Sequence, residues 1–244
     1  MSSSTFEFSF GENDRKMDRK PKRFKAEKDK KYRVSFVTWP TDSEGKPIFT
    51  DANGENTNPR FLGCERHWVD KVGYVVSDGP DYVTNFGKAK LCVGTVIAVW
   101  PIDGKGELLK NALHEVQVLP FLIDTYKYQT LRDLQADFSF ADTDLQITCT
   151  DEKFQKYSFA NKKLNMYREL SKKENPELVE ITTRIRTEAN EIFKALPDEM
   201  AKKMTMEDIA KALNGPAGLP SASASSTPSV SSADIEDTLA DLLG

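Results

Sequence analysis

The chain has 244 residues, of which 39% are apolar and 30% are charged, and its net charge is −4. No run of about 18 apolar residues is present, and no apolar block follows a basic start, so we expect neither a membrane-spanning helix nor a secretory signal. The three cysteines, Cys64, Cys92 and Cys149, are too few and too scattered for a disulfide framework, which favours a reducing, cytoplasmic location.

The charge is unevenly distributed. Residues 1–33 contain eleven Lys and Arg against six acids, whereas residues 215–244 contain four acids and no base. This asymmetry indicates a nucleic-acid contact at one end and an acidic tail at the other. Because the region between the two ends is mildly acidic, binding to its surface requires a local basic patch.

Residues 1–30 are predicted to form a basic, flexible N-terminal arm, since they contain little that a core could bury. Such an arm neutralises phosphates without sequence preference, or contacts a neighbouring subunit on a shared strand. Its candidate contact residues are Arg15, Lys16, Arg19, Lys20, Lys22, Arg23 and Lys25.

The pattern from residue 31 to about residue 160 is mostly typical of strands. In KYRVSFVTW, Tyr32, Val34 and Phe36 alternate onto one face, which leaves Arg33 and Trp39 on a basic, aromatic outer face. Residues 40–60 are rich in Pro, Gly, Asn and Asp, and we interpret them as a long loop. Further strand-like runs occur at 61–76, 91–101, 113–123, 144–150 and 154–159. The fold class predicted is therefore mainly β with α, as an OB-fold-like small barrel.

The period changes after about residue 162. Apolar residues at three- and four-residue steps predict an amphipathic helix that begins at Pro176 and ends at Pro197. A second helix is predicted from Thr205, capped by Asp208, to Gly215. The OB-like core with its helical extension would thus span residues 31–213.

Residues 214–232 are a low-complexity stretch of Gly, Pro, Ala and Ser, which predicts a flexible linker. Residues 233–244 form an acidic tail with apolar residues at helical spacing. These could make one helix face in a partner's groove, while the acids imitate a phosphate backbone. The candidate partner-binding residues are Asp234, Ile235, Glu236, Asp237, Leu239, Asp241, Leu242 and Leu243.

Basic residues beside aromatic ones mark a candidate single-strand interface, because cations track phosphates and rings stack on bases. We favour Trp39, Trp68 and Tyr128 as exposed rings and Trp100 as a core residue. The full candidate set is Arg33, Trp39, Arg66, Trp68, Phe86, Lys88, Lys90, Tyr126, Lys127, Tyr128, Lys153, Lys156 and Tyr157.

Signals for metals and catalysis are weak. Cys64 and His67 form one closely spaced pair, whereas a structural zinc site needs two such pairs, so we predict no metal. Asp142, Asp144 and Asp151 leave a metal-dependent nuclease open as an alternative, although aspartates are also common at turns. No phosphate-cradling glycine motif occurs, and we expect no cofactor and no enzymatic activity.

The arrangement of basic arm, β-rich core and acidic tail resembles that of bacteriophage single-stranded DNA-binding, helix-destabilising proteins. The stretches LHEVQVLPFLIDTYKYQTLRDL and TDLQITCTDEKFQKYSF are also similar to phage proteins of this kind. One branch of that family holds zinc through a His and three Cys in tight spacing, a pattern from which this chain departs.

The resemblance implies a protein that coats and protects single-stranded DNA during replication, recombination and repair in the host cytoplasm. It also implies self-association along the strand and a tail that recruits a polymerase, helicase or recombinase. The other hypotheses are a phage transcription accessory factor that docks on an RNA polymerase, the nuclease, and a structural phage protein without a nucleic-acid role.

Overall fold

A computed structural model describes residues 23–151 and 156–214. The predictions for most of the N-terminal arm (through Lys22), for Lys153, for the linker after Asn214 and for the acidic tail fall outside the described residues. The chain divides into two units, residues 1–204 and 205–244, which are described separately. Among the described helices, none combines the length and the apolar composition needed to cross a bilayer.

The first unit contains all the strands and most of the helices. Its elements are β1 (Lys31–Phe36), β2 (Leu62–Val69), β3 (Gly73–Val76), α1 (Pro80–Phe86), β4 (Lys90–Trp100), a 3-10 helix (Lys110–Glu115), β5 (Gln117–Asp124), α2 (Thr125–Asp137), β6 (Thr143–Cys149), β7 (Tyr157–Lys163), α3 (Met166–Ser171) and α4 (Pro176–Met200). The second unit contains α5 (Met206–Asn214).

The seven strands form one antiparallel sheet. Its order is β3-β2-β4-β1-β6-β7, and β5 pairs with β4 outside this path. The prediction of a mainly β fold with helices is confirmed at this level. The six strand-like runs correspond to seven described strands, because the run at 61–76 is the β2–β3 hairpin, and the described strands do not close into a barrel.

Strand β4 organises the sheet because it has three partners. Along one edge of β4, residues Cys92–Val99 pair with β5. Along the other edge, residues Lys90–Gly94 pair with β2 and residues Ile97–Trp100 pair with β1. A Cβ on Gly94 would lie 3.1 Å from the side chain of Leu196, so the glycine allows α4 to pack closely on the strand.

The predicted outer face of β1 is wrong. Arg33, on β1, and Trp39, three residues after the end of β1, are 7% and 2% exposed, because every residue from 33 to 39 is buried and both faces of this segment are therefore covered. Arg33 Nε donates to Asp144 Oδ2 at 2.7 Å, and Trp39 Nε1 donates to the carbonyl of Phe36 at 2.7 Å. Both polar groups that looked available for DNA are therefore satisfied inside the protein.

The two predicted C-terminal helices are confirmed. Helix α4 begins at Pro176, as expected, but continues through Pro197 to Met200, since a proline in the last turn interrupts little of the hydrogen bonding. In the second unit, Thr205 Oγ1 accepts from the Asp208 backbone N–H at 3.1 Å, and Asp208 accepts from Thr205, which is the predicted capping box. Helices α1, α2 and α3 were not predicted.

The chain is already packed before the predicted end of the arm at residue 30. Phe24 and Ala26 are buried, and the Phe24 ring lies 5.2 Å from Tyr32 and 5.5 Å from Phe121. Arg23 forms an ion pair with Glu199 of α4 at 2.8 Å. Arg23 is thus engaged within the protein, and the packed domain begins earlier than the composition suggested.

A five-residue turn of one geometry occurs three times, at 42–46, 51–55 and 103–107. In each turn the first residue is an aspartate whose Oδ1 accepts backbone N–H groups two and four residues later. The fourth residue is a glycine with φ between 74° and 86°, a conformation that L side chains rarely adopt. Two of these turns give the predicted 40–60 loop a fixed course without helix or strand.

Candidate nucleic-acid interface

One groove of the first unit collects side chains from four parts of the fold: the β2–β3 hairpin, the start of β4, the β5–α2 junction and β7. Its volume is about 880 Å³. We call it the binding groove. It is lined by Arg66, Tyr74, Lys90, Leu122, Ile123, Asp124, Tyr126, Lys127, Thr130, Lys156, Tyr157 and Phe159.

The β2–β3 hairpin forms one wall because alternate residues of a strand share a face. Trp68 lies opposite Tyr74 in the register, and their ring centroids are 5.0 Å apart in an edge-on arrangement. The guanidinium carbon of Arg66 lies 3.7 Å from the Tyr74 ring centroid. Arg66 also pairs in register with Lys90, which places a second cation on the same face. Trp68 is 60% exposed beside the groove.

The first turn of α2 forms a second wall. Asp124 is the N-cap of the helix, and its side chain accepts from the Lys127 backbone N–H at 2.9 Å and from the Lys127 ammonium. Partial burial raises the pKa of Asp124, but these hydrogen bonds outweigh that effect, so its pKa lies below its ordinary value. Tyr126, 78% exposed, stands in the same turn.

Strand β7 forms the remaining wall. The Tyr157 and Phe159 ring centroids are 6.2 Å apart, and the Lys127 ammonium lies 5.4 Å from the Tyr157 ring centroid. Burial raises the pKa of the Tyr157 phenol above its ordinary value, so this ring stays neutral at physiological pH. Lys156 adds an exposed cation at the entrance to the strand.

Among the residues that the structure describes, the groove combines four cations with four aromatic rings and one carboxylate, that of Asp124. Cations spaced along a groove can follow a phosphate backbone, and rings between them can stack on unpaired bases whatever the sequence. This arrangement therefore has the chemistry of a single-strand binding surface.

The structure divides the predicted site residues into two groups. Those that line the groove or border it are Arg66, Trp68, Lys90, Tyr126, Lys127, Lys156 and Tyr157. Those that do not line it are Arg33, Trp39, Phe86, Lys88 and Tyr128.

Phe86 and Tyr128 are directed to other contacts. The Phe86 ring lies 6.1 Å from His67 and 6.3 Å from Tyr82, on the other face of β2 from Arg66. Tyr128 is half-buried, with its ring centroid 5.5 Å from that of Phe61, so its predicted exposure is only partial. Two residues along a helix correspond to a rotation of about 200°, which separates Tyr128 from Tyr126.

Sequence reasoning missed two aromatic residues of the groove, Tyr74 and Phe159. A signal for Tyr74 was available, because a hairpin that turns at residues 70–72 places Tyr74 opposite Trp68. No comparable signal marked Phe159, whose role depends on the long-range approach of β7 and α2.

The carboxylates that suggested a nuclease have other partners. Asp144 is fully buried and accepts from Arg33, from the Ser35 hydroxyl and from the Met166 backbone N–H. Asp142 is paired with Arg168. Cys64 and His67 are three residues apart on β2 and so lie on opposite faces of the strand. Across the part of the chain that the structure describes, no three His, Cys, Asp or Glu side chains are grouped to hold a metal ion.

No protein-family model matches the sequence, and comparisons with curated proteins and with solved structures also give no match.

Proposed function

We propose that this protein binds single-stranded DNA in the binding groove and coats it with little sequence preference. The observation that carries the proposal is the convergence of cations and rings that are distant in sequence. Arg66, Lys90, Lys127 and Lys156 come from four separate parts of the chain, and together with four rings they line one depression. Binding only the open strand would shift a hairpin or duplex towards melting.

The rings favour single strands over duplex. A base can stack on an exposed ring such as Tyr126 or Trp68 only if it is not already stacked and paired inside a helix. The OB-like interpretation of the sheet is part of this proposal, and the open antiparallel sheet of the described strands is compatible with it because OB barrels are partly open. By the resemblance, the protein would act in phage replication, recombination and repair, and residues 233–244 would recruit partner proteins.

Fluorescence anisotropy with labelled single- and double-stranded oligonucleotides over a salt series tests the proposal. The test variant is Lys90→Gln/Lys156→Gln, since both ammonium groups line the groove. If each lysine contacts one phosphate, the magnitude of the slope of log affinity against log salt falls by roughly 1.4 in this variant. This corresponds to a roughly tenfold loss of affinity at 0.15 M salt.

The matched control is Lys105→Gln/Lys110→Gln. Both lysines are exposed and follow the far end of β4, about 30 Å along the strand from Lys90. This variant carries the same change of net charge and is expected to retain the wild-type slope. Equal weakening by the two variants, or equal binding of duplex and single strand by the wild type, would contradict the proposal and favour the transcription-factor hypothesis.

A further inference from the structure

A second cationic depression lies away from the binding groove. It is bounded by the 42–50 loop, by α3 and by the first half of α4, and its volume is about 620 Å³. We call it the α3–α4 recess. Tyr157, at the start of β7, lines the groove, whereas α3 follows the end of β7, about 20 Å along that strand. The two depressions are therefore separate sites.

The recess is lined by five basic side chains and one carboxylate, that of Asp42. The carboxylate is already used, because its Oδ1 accepts the backbone N–H groups of Glu44 and Lys46 in the first of the repeated turns. The basic residues are Lys46, Arg168, Lys172, Lys173 and Arg186.

Three of these cations have partners. Lys46 pairs with Glu44 at 2.7 Å, and Lys172 pairs with Glu169 at 2.6 Å. Arg168 pairs with Asp142 and also donates to the Thr50 hydroxyl at 2.9 Å, which fastens the 42–50 loop to α3.

The charged groups of Lys173 and Arg186 have neither an ion pair nor a hydrogen bond to any residue within 23–151 or 156–214. The recess thus contains two positive charges without a partner among the described residues, next to the loop that Arg168 connects to α3.

A buried phenol accompanies these charges. Tyr167 is 1% exposed and packs against Phe49, with ring centroids 5.8 Å apart, yet its side chain lines the recess. Its hydroxyl makes no hydrogen bond to a described residue and is not among the fully buried polar atoms, so it is open to the recess. Burial raises the pKa of Tyr167 to about 12 against the opposing charge of Arg186, so the hydroxyl remains a donor.

We infer that the α3–α4 recess is a second binding site for a phosphoryl group, held by Arg186 and Lys173 with the Tyr167 hydroxyl as a neutral donor. A guanidinium matches two phosphate oxygens at once, and a phosphate has further oxygens for the ammonium and the phenol. The volume suits a ligand of nucleotide size. The phosphoryl group would belong to a free nucleotide or to the backbone of a nucleic-acid strand. This inference does not depend on the function proposed for the groove.

Isothermal titration of the full chain with pyrophosphate tests the site. We expect saturable binding that weakens roughly tenfold in Arg186→Gln and in Lys173→Gln, and by less in Tyr167→Phe, which removes one neutral hydrogen bond. Lys194→Gln is the matched control, because Lys194 is exposed on the same helix and lines neither depression. Lys173 is exposed, so its substitution leaves the core intact even if Arg186→Gln proves unstable.

Three results would overturn the inference: no saturable binding of pyrophosphate, an equal loss in Lys194→Gln, or binding of a tetraglutamate peptide as tight as that of pyrophosphate. The groove variant Lys90→Gln/Lys156→Gln is expected to bind pyrophosphate normally, which separates the two proposals. Oligonucleotide anisotropy then identifies the source of the phosphoryl group. If the slope of log single-strand affinity against log salt is lower in magnitude by roughly 0.7 in Arg186→Gln, the site binds a nucleic-acid strand. If the slope is unchanged, the site binds a free nucleotide.

Discussion

Residues 31–39, which include β1, and β2 carry a similar sequence signal, an arginine followed by a tryptophan, but the fold places these side chains in opposite environments. Arg33 and Trp39 are buried, whereas Trp68, two residues after Arg66, is 60% exposed. Both strands lie inside the sheet with a partner on each side. Position in the sheet therefore does not explain the difference, and the cause must be what covers each face.

On one face of β2, the end of helix α4 coincides with the change from packed to exposed side chains. Leu196 and Met200 pack against Leu62 and Cys64 at the start of the strand. Arg66, the next residue on that face, donates to the carbonyl of Met200 at 2.6 Å, where the helix ends. Trp68, two residues further along the same face of β2, is exposed. A tryptophan near an arginine is thus exposed or buried according to which distant parts of the chain cover its face, as Phe49 covers Trp39.

The largest expected effect comes from breaking the buried pair on β1. Arg33→Met leaves the Asp144 carboxylate buried without its cation, and we expect the free energy of unfolding to fall by about 3–5 kcal/mol at pH 8. Urea denaturation measures this loss. Arg132→Met, at an exposed position on α2, should change stability by less than about 0.5 kcal/mol. A loss below about 1 kcal/mol for Arg33→Met would mean that the pair stabilises little.

The same variant has a predictable pH dependence. Burial raises the pKa of Asp144 to about 6, above its ordinary 3.8, against the opposing charge of Arg33. The folded state therefore holds this proton more tightly, and stability from this group falls as the pH rises from about 4 to about 6. Without Arg33 the pKa of Asp144 rises further, so the fall in stability continues above pH 6. The deficit of Arg33→Met should consequently be smaller at pH 5 than at pH 8.

A smaller effect is expected from two tyrosines that lie two residues apart on α2. Tyr126→Ala removes an exposed ring of the groove, and we expect a loss of about 1–3 kcal/mol in single-strand affinity with little change in stability. Tyr128→Ala removes a half-buried ring that packs on Phe61, and we expect about 1–3 kcal/mol less stability at nearly unchanged affinity. Anisotropy and urea denaturation measure the two quantities. If both variants lose affinity equally, the face of α2 assigned to DNA is wrong.

These contrasts show what could be predicted from sequence. Local periodicity was sufficient for β1, for β4 and for the start of α4, because alternation and helical spacing are properties of neighbouring residues. The proximity of basic to aromatic residues in the sequence marked Arg66, Lys90, Tyr126 and Lys156 as candidates. The exposure of each candidate was not predictable, since Arg33 is buried by Asp144, which lies 111 residues further along the chain.

The helix α2 shows a second limit. Its residues have little amphipathic pattern, and only Leu131 is buried, so periodicity gave no sign of it. The Asp124 cap was the available signal, because an aspartate bonded to the backbone N–H three residues later is typical of a helix start. The α3–α4 recess could not be predicted from the sequence either, since it depends on how the 42–50 loop packs on two later helices.

Tryptophan fluorescence sharpens the comparison between the exposed tryptophan of β2 and the buried tryptophans. The chain has three tryptophans, of which Trp39 and Trp100 are each 2% exposed. We expect oligothymidylate to quench the emission of Trp68, so that Trp68→Phe loses the quenching and Trp39→Phe retains it. Acrylamide, which reaches exposed rings only, should show the same pattern. Retention of the DNA-induced quenching in Trp68→Phe would place the strand away from the β2–β3 hairpin.

The smallest expected effect concerns the one carboxylate of the groove. Asp124→Asn keeps a good N-cap for α2 and removes a negative charge beside Lys127. We expect single-strand affinity to rise roughly two- to fivefold, a gain under about 1 kcal/mol for a partly exposed pair, and the gain should grow as salt is lowered. Because the pKa of Asp124 lies below its ordinary value, the carboxylate is ionised at pH 7 and at pH 5. Anisotropy should therefore give the same difference at both pH values. A loss of affinity in Asp124→Asn would mean that the carboxylate serves binding by positioning the Lys127 ammonium.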